Sequence, residues 1–162
     1  MFTKQTLTYL YILLLSLPML ACGTIDVFEK NVSIPKQEWS STFQPEISFE
    51  IADTSSLYNI FVVIRHTNAY RYNNIWLNVF TQIPGDSLRK DRLDLRLATD
   101  DKGWLGSGMD DIFEHRVLIT REPVSLKPGK YTFRLQQIMR EEPLQHVMNA
   151  GIRVEKVNTT SS

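Results

Sequence analysis

Hydrophobic and polar residues alternate along most of this chain with the period of a β-strand. From Glu46 to Ala52 (EISFEIA), Ile47, Phe49 and Ile51 fall on one face and polar groups on the other, so one face is wet. Arg92 to Ala98 (RLDLRLA) repeats the pattern with Leu93, Leu95 and Leu97. The stretch Tyr58 to Phe80, YNIFVVIRHTNAYRYNNIWLNVF, departs from it. Ile60, Val62 and Ile64 point one way while Phe61 and Val63 point the other. Beyond an Asn-rich connector, Ile75, Leu77 and Val79 oppose Trp76 and Phe80. A strand apolar on both faces needs cover on both, so these two strands are expected at the centre of the fold.

Further strands are expected over Phe113–Thr120, Tyr131–Met139 and Gly151–Val157. The lead-in, residues 22–40, carries Val27, Phe28, Val32 and Ile34 and suits an edge strand, with Pro35 marking a break before Trp39. Leu144–Ala150 reads as one helical turn or a loop. Turn residues punctuate these runs at Asp53–Ser56, Pro84–Asp86, Asp100–Gly108 and Leu126–Tyr131. Seven or eight short strands without useful helical periodicity predict an all-β, antiparallel β-sandwich of Greek-key or jelly-roll type over residues 41–157. A small closed barrel is the alternative. The run Leu126-Lys-Pro-Gly-Lys-Tyr131 resembles the tyrosine corner of Greek-key sandwiches, in which the Tyr hydroxyl bonds back to the backbone.

The N-terminus changes the picture. Lys4, an apolar run from Leu7 to Leu20 and the small Ala21 describe an export signal over residues 1–21, too short to span a bilayer. The single cysteine, Cys22, follows directly. Met19-Leu20-Ala21-Cys22 looks like a bacterial lipobox, whose thiol is acylated and becomes the new N-terminus. Several acyl chains on one residue hold a protein on a membrane where one alone binds marginally. Removing residues 1–21 from the 162 leaves 141, enough for one domain with its own core. That mature chain has 17 basic and 18 acidic residues without blocks of like charge, which argues against nucleic acid and against a polybasic hold on lipid headgroups. The tail, residues 158–162, is expected to be flexible.

Candidate chemistry is sparse. His66, His115 and His146 are not spaced as a metal pair, and HExxH, HxH and CxxC patterns are absent. His115 is expected on a half-exposed strand. Gly103-Trp-Leu-Gly-Ser-Gly108 fails as a phosphate loop because Met109-Asp110 stand where Lys and a hydroxyl belong. It fails as a nucleophile elbow because Leu105 replaces the first Gly. Close backbone packing or positive φ at Gly106 and Gly108 is the plainer reading. Asp100, Asp101, Asp110 and Asp111 do not follow a calcium-loop spacing and read as solvated pairs. No nucleophile–base pair emerges, so the chain reads as a non-enzyme without metal or cofactor. The remaining candidate is the connector Arg65–Asn74. Tyr70, Arg71 and Tyr72, with Trp104, would suit a protein partner or stack on a glycan. Alternatively the tyrosines belong to a long hairpin and cap the core.

At these same segments the chain resembles the gliding motility-associated lipoprotein family GldH of Bacteroidetes. The likeness is carried by YNIFVVIRHTNAYRYNNIWLNV, GWLGSGMDDIFEHRVLI and PGKYTFRLQQIMREEPLQHVMNAGIRVEK, with the lead-in IPKQEW and the anchor position. The resemblance implies a cell-envelope lipoprotein, held by acylated Cys22 at the outer membrane and facing the periplasm, that is required for surface gliding linked to type IX secretion. It implies envelope proteins of that machinery as partners, and no catalytic residues.

Overall fold

The computed structural model describes residues 26–157; the signal 1–21, Cys22 and the tail 158–162 lie outside the described residues. The strands follow in order as β1 (Val27–Ser33), β2 (Glu38–Trp39), β3 (Glu46–Ile51), β4 (Leu57–Thr67) and β5 (Asn74–Gln82). Then come β6 (Arg89–Arg96), β7 (Ala98–Thr99), β8 (Gly103–Trp104), β9 (Ser107–Met109) and β10 (Ile112–Leu118). The last are β11 (Val124–Ser125), β12 (Gly129–Gln137), β13 (Leu144–Gln145) and β14 (Val147–Lys156). One sheet has the order β1-β14-β4-β10-β9, with β11 also on β4; the other has the order β3-β12-β5-β6. Two small ribbons, β2–β13 and β7–β8, complete an all-antiparallel sandwich.

The alternation explains the layers. Ile60, Val62 and Ile64 of β4 face Ile75, Leu77 and Val79 of β5, with Ile47, Leu95, Leu135 and Ile152 in the same core. The central position expected of the two long strands holds, since each has neighbours on both sides within its sheet. The hairpin reading is corrected: β4 and β5 do not pair but sit in opposite sheets, so the connector crosses the sandwich. Alternation alone is the same for a strand's partner and for a strand across the core, roughly 10 Å away.

The outer apolar faces are covered by side chains rather than by a third layer. Val63 is fully buried beneath an ion network in which Glu29 binds Arg116 (2.8 Å) and Arg153 (3.0 Å), and Glu114 binds Arg116 (2.7 Å) and Arg65 (2.9 Å). Gly151, paired with Val63 and Asn31, makes room for this, because any Cβ there would run into Asn31 and the Lys30 carbonyl. On the other sheet Arg92 lies over Trp76 (4.8 Å) while Lys90 and Arg134 flank Phe80 (5.5 and 5.3 Å). Long cationic stems thus shield rings while their heads stay wet.

Several expectations shift at their edges. Leu144–Ala150 is neither helix nor loop: it forms β13 and opens β14, whose register shifts between Val147 and Asn149. That irregularity breaks the alternation that marks a strand in sequence. Tyr131 does close a tyrosine corner, its hydroxyl accepting the Lys127 N–H at 2.9 Å.

The sandwich has two distinct ends. Asp26 bonds Lys156 at the N-terminal end of β1, where the 53–56, 84–87 and 119–128 segments also turn. The opposite end holds the connector, β7–β9 and the β2–β13 ribbon.

Candidate functional site

The connector begins where β4 ends and the chain must leave one sheet for the other. Tyr70 turns into the gap: it is 4% exposed, and its hydroxyl donates to the Asn74 carbonyl at 2.9 Å. Burial pushes its pKa well above the ordinary tyrosine value. Tyr70 is therefore a plug of the core, and the expectation that it offers a ring face to a partner is corrected for this residue. Arg71 is exposed and Tyr72 half-buried, with its ring edge-on to Tyr70 at 5.6 Å.

Trp104 comes to the same end from β8. The Asp100–Lys102 turn of the β7–β8 hairpin relies on Gly103 at φ +66°. The indole N–H then donates to Asn68 in the connector at 3.1 Å. Gly106 and Gly108 serve close packing, as a Cβ at either would strike Glu114 or the Phe113 ring. The lobe that follows Trp104 exposes Leu105, Met109 and Ile112, with Met109 79% exposed. Asn68 N–H donates to the Asp111 carbonyl at 2.7 Å and ties this lobe to the connector.

Beneath it lies a feature that residue spacing does not reveal. His66 continues the inward row of β4, and His115 lies in the inward row of β10 beside it, paired with Ile64. Their Nε2 atoms are 2.9 Å apart, and His66 Nδ1 is 2.8 Å from the Thr67 carbonyl. A carbonyl only accepts, so His66 carries its proton on Nδ1 and His115 donates from Nε2. Tyr70, Trp104 and Phe113 ring the pair at 4.4–5.9 Å from His66. His115 is buried rather than half-exposed, correcting that expectation. The β9 hairpin and Trp104 cover the edge that a lone β10 would leave open. Burial, with the neighbouring His66, lowers His115 to about 4, and burial lowers His66 as well. The shared inward parity of the two histidines is legible in the sequence; their adjacency, 49 residues apart, is not.

Among the described residues no three His, Cys, Asp or Glu side chains gather to hold a metal, and Asp100, Asp101, Asp110 and Asp111 do not converge. The two histidines hydrogen-bond each other through the lone pair a metal would need. The end is built as an ordered aromatic surface over a buried imidazole pair.

These features define an all-β sandwich whose connector end offers an apolar and aromatic surface. Sequence comparison gives the family: the GldH lipoprotein family matches residues 26–154, and the chain belongs to it. It is 29% identical over 152 residues to the gliding motility lipoprotein GldH of Flavobacterium johnsoniae, covering 90% of this chain and 94% of the relative. A GldH homolog of Christiangramia forsetii is 27% identical over 143 residues, covering 84% and 87%. Among solved structures, a chain of the infectious bursal disease virus Gx strain aligns at a TM-score of 0.30 and 10% identity, covering 85% of this chain and 32% of its own.

Proposed function

We propose that this chain is a non-catalytic accessory lipoprotein of the gliding machinery, tethered by acylated Cys22 and presenting its connector end to an envelope protein of the motility and type IX secretion apparatus. Both named relatives are gliding motility lipoproteins. Cys22 lies four residues before Asp26, so a linker of at most roughly 14 Å holds the Asp26 end to the bilayer. The connector end then faces away from the membrane, and the periplasmic side of the outer membrane is the location this reading assigns.

The observation that carries the partner reading is that Arg71, Tyr72 and Trp104 lie at that far end, where the β8–β10 lobe also exposes Leu105, Met109 and Ile112. Arginine and aromatic anchors with apolar neighbours are what protein interfaces use. The glycan reading weakens because Tyr70 has no free face and Tyr72 is edge-on to it. Deleting the gene and restoring it with Arg71→Ser, Tyr72→Ser tests the proposal. The double variant is expected to stay membrane-bound at normal level while colony spreading fails. Full spreading with the variant overturns the assignment of this surface; spreading of the deletion strain overturns the motility role.

A further inference from the structure

At the Asp26 end the two sheets part between β6 and the β10–β11 edge, enclosing a cavity of about 490 Å³. Its depth is apolar, built from Ile60, Val79, Leu93, Ile119, Leu126 and Phe133. The volume lies in the range of small-ligand sites, about 300–1,000 Å³. Its mouth is charged. On β6 the inward row of Leu93 and Leu95 continues toward the mouth as Asp91 and Arg89, where further leucines would have closed the sandwich. Arg89 pairs with Asp91 at 2.7 Å and Lys127 with Asp86 at 2.8 Å, so those four cancel. Arg121 also lines the site and remains as excess positive charge, whereas the Arg92 guanidinium is held over Trp76 on the outer face of the sheet. Arg121 has no ion-pair partner among the described residues.

We propose that this cavity binds a single-chain amphiphile, its acyl tail between the sheets and an anionic head at Arg121. A neutral apolar ligand would leave the Arg121 cation without a counter-charge, and a fully polar ligand would strand itself against the apolar depth. The cavity opens at the end from which the chain runs toward Cys22. If the tether is as proposed above, membrane acyl lipids are the nearest supply; the binding chemistry itself does not depend on that tether.

The full chain in phosphatidylcholine vesicles is incubated with a diazirine-bearing hexadecanoic acid, or with the corresponding alcohol, irradiated and peptide-mapped. The acid is expected to label the segments carrying Leu93, Ile119 and Val124. Val124→Trp, which fills the cavity, should lower that labelling about tenfold, the scale of a lost subsite. Leu93→Phe fills it from the opposite wall and serves if Val124→Trp does not fold. Arg121→Glu should lower labelling by the acid severalfold and leave the alcohol unchanged. Labelling spread evenly over exposed Val27, Leu57 and Leu118, and indifferent to both filling variants, would overturn the cavity as a binding site. Equal labelling by acid and alcohol, unaffected by Arg121→Glu, would overturn the anionic head.

Discussion

At the connector end the gap between the sheets is plugged by Tyr70 and by the His66–His115 pair under Trp104, whereas at the Asp26 end the sheets stay parted over a cavity with charges at its mouth. Both ends use a tyrosine bonded to the backbone, Tyr70 to Asn74 and Tyr131 to Lys127. The difference lies in what surrounds it. Tyr70 is packed by Tyr72, His66 and Trp104, all aromatic. Tyr131 stacks on Phe49 to one side and borders the cavity on the other. A sandwich end is sealed only where large side chains arrive from both sheets; where β6 supplies Arg89 and Asp91 instead, it stays open.

The largest break in this arrangement is expected between the ends, in the shared core. Val62→Asp places an unpaired carboxylate at a position with no exposure, and the chain should fail to fold. Soluble, cooperatively melting Val62→Asp protein would show that β4 is not central. Next comes the plug itself. Tyr70→Ala should cost about 3–5 kcal/mol in thermal or chemical melts, on the scale of lost aromatic burial. Tyr72→Ser should cost under roughly 1 kcal/mol, as its ring is half-exposed. Equal costs would erase the distinction between plug and surface.

The connector end should also respond to acid. His115 titrates lower in the folded chain, at about 4, than the ordinary histidine value near 6.5. The unfolded chain therefore binds more protons between these values. Stability should be fully present above about pH 6.5 and fall as the pH drops toward 4, by roughly 3 kcal/mol in all. Denaturant melts across that window check this, and His115→Gln should flatten much of the slope. A smaller effect is expected on the outer face, where Arg116→Ala should cost only about 1 kcal/mol because its partners stay partly wet.

The strands were legible wherever alternation was clean. Ile47, Phe49 and Ile51, and likewise Leu95 and Leu97, are buried as their parity requires. Arg89–Asp91 belong to β6 yet do not read as strand, because charged residues occupy its inward row at the mouth. The start of β14 is hidden for a similar reason: the irregularity near Met148 and polar Asn149 breaks the alternation there. Sheet membership was not legible for β4 and β5, since period two records a face and not a partner. At the candidate site, Tyr72 and Trp104 both reach the Tyr70 ring, one from the connector and one from β8. The burial of Tyr70 and the histidine pairing depend on contacts across 49 residues and between sheets, which no local pattern contains.

The most direct test of the account is photo-crosslinking in living cells, with a benzophenone amino acid placed singly at Tyr72, at Met109 and, as a control on the opposite end, at Leu88. A discrete protein adduct is expected from Tyr72 and Met109 and none of the same mass from Leu88. Adducts confined to Leu88, or absent from both connector-end positions in cells that glide, would contradict the claim that this end meets the partner.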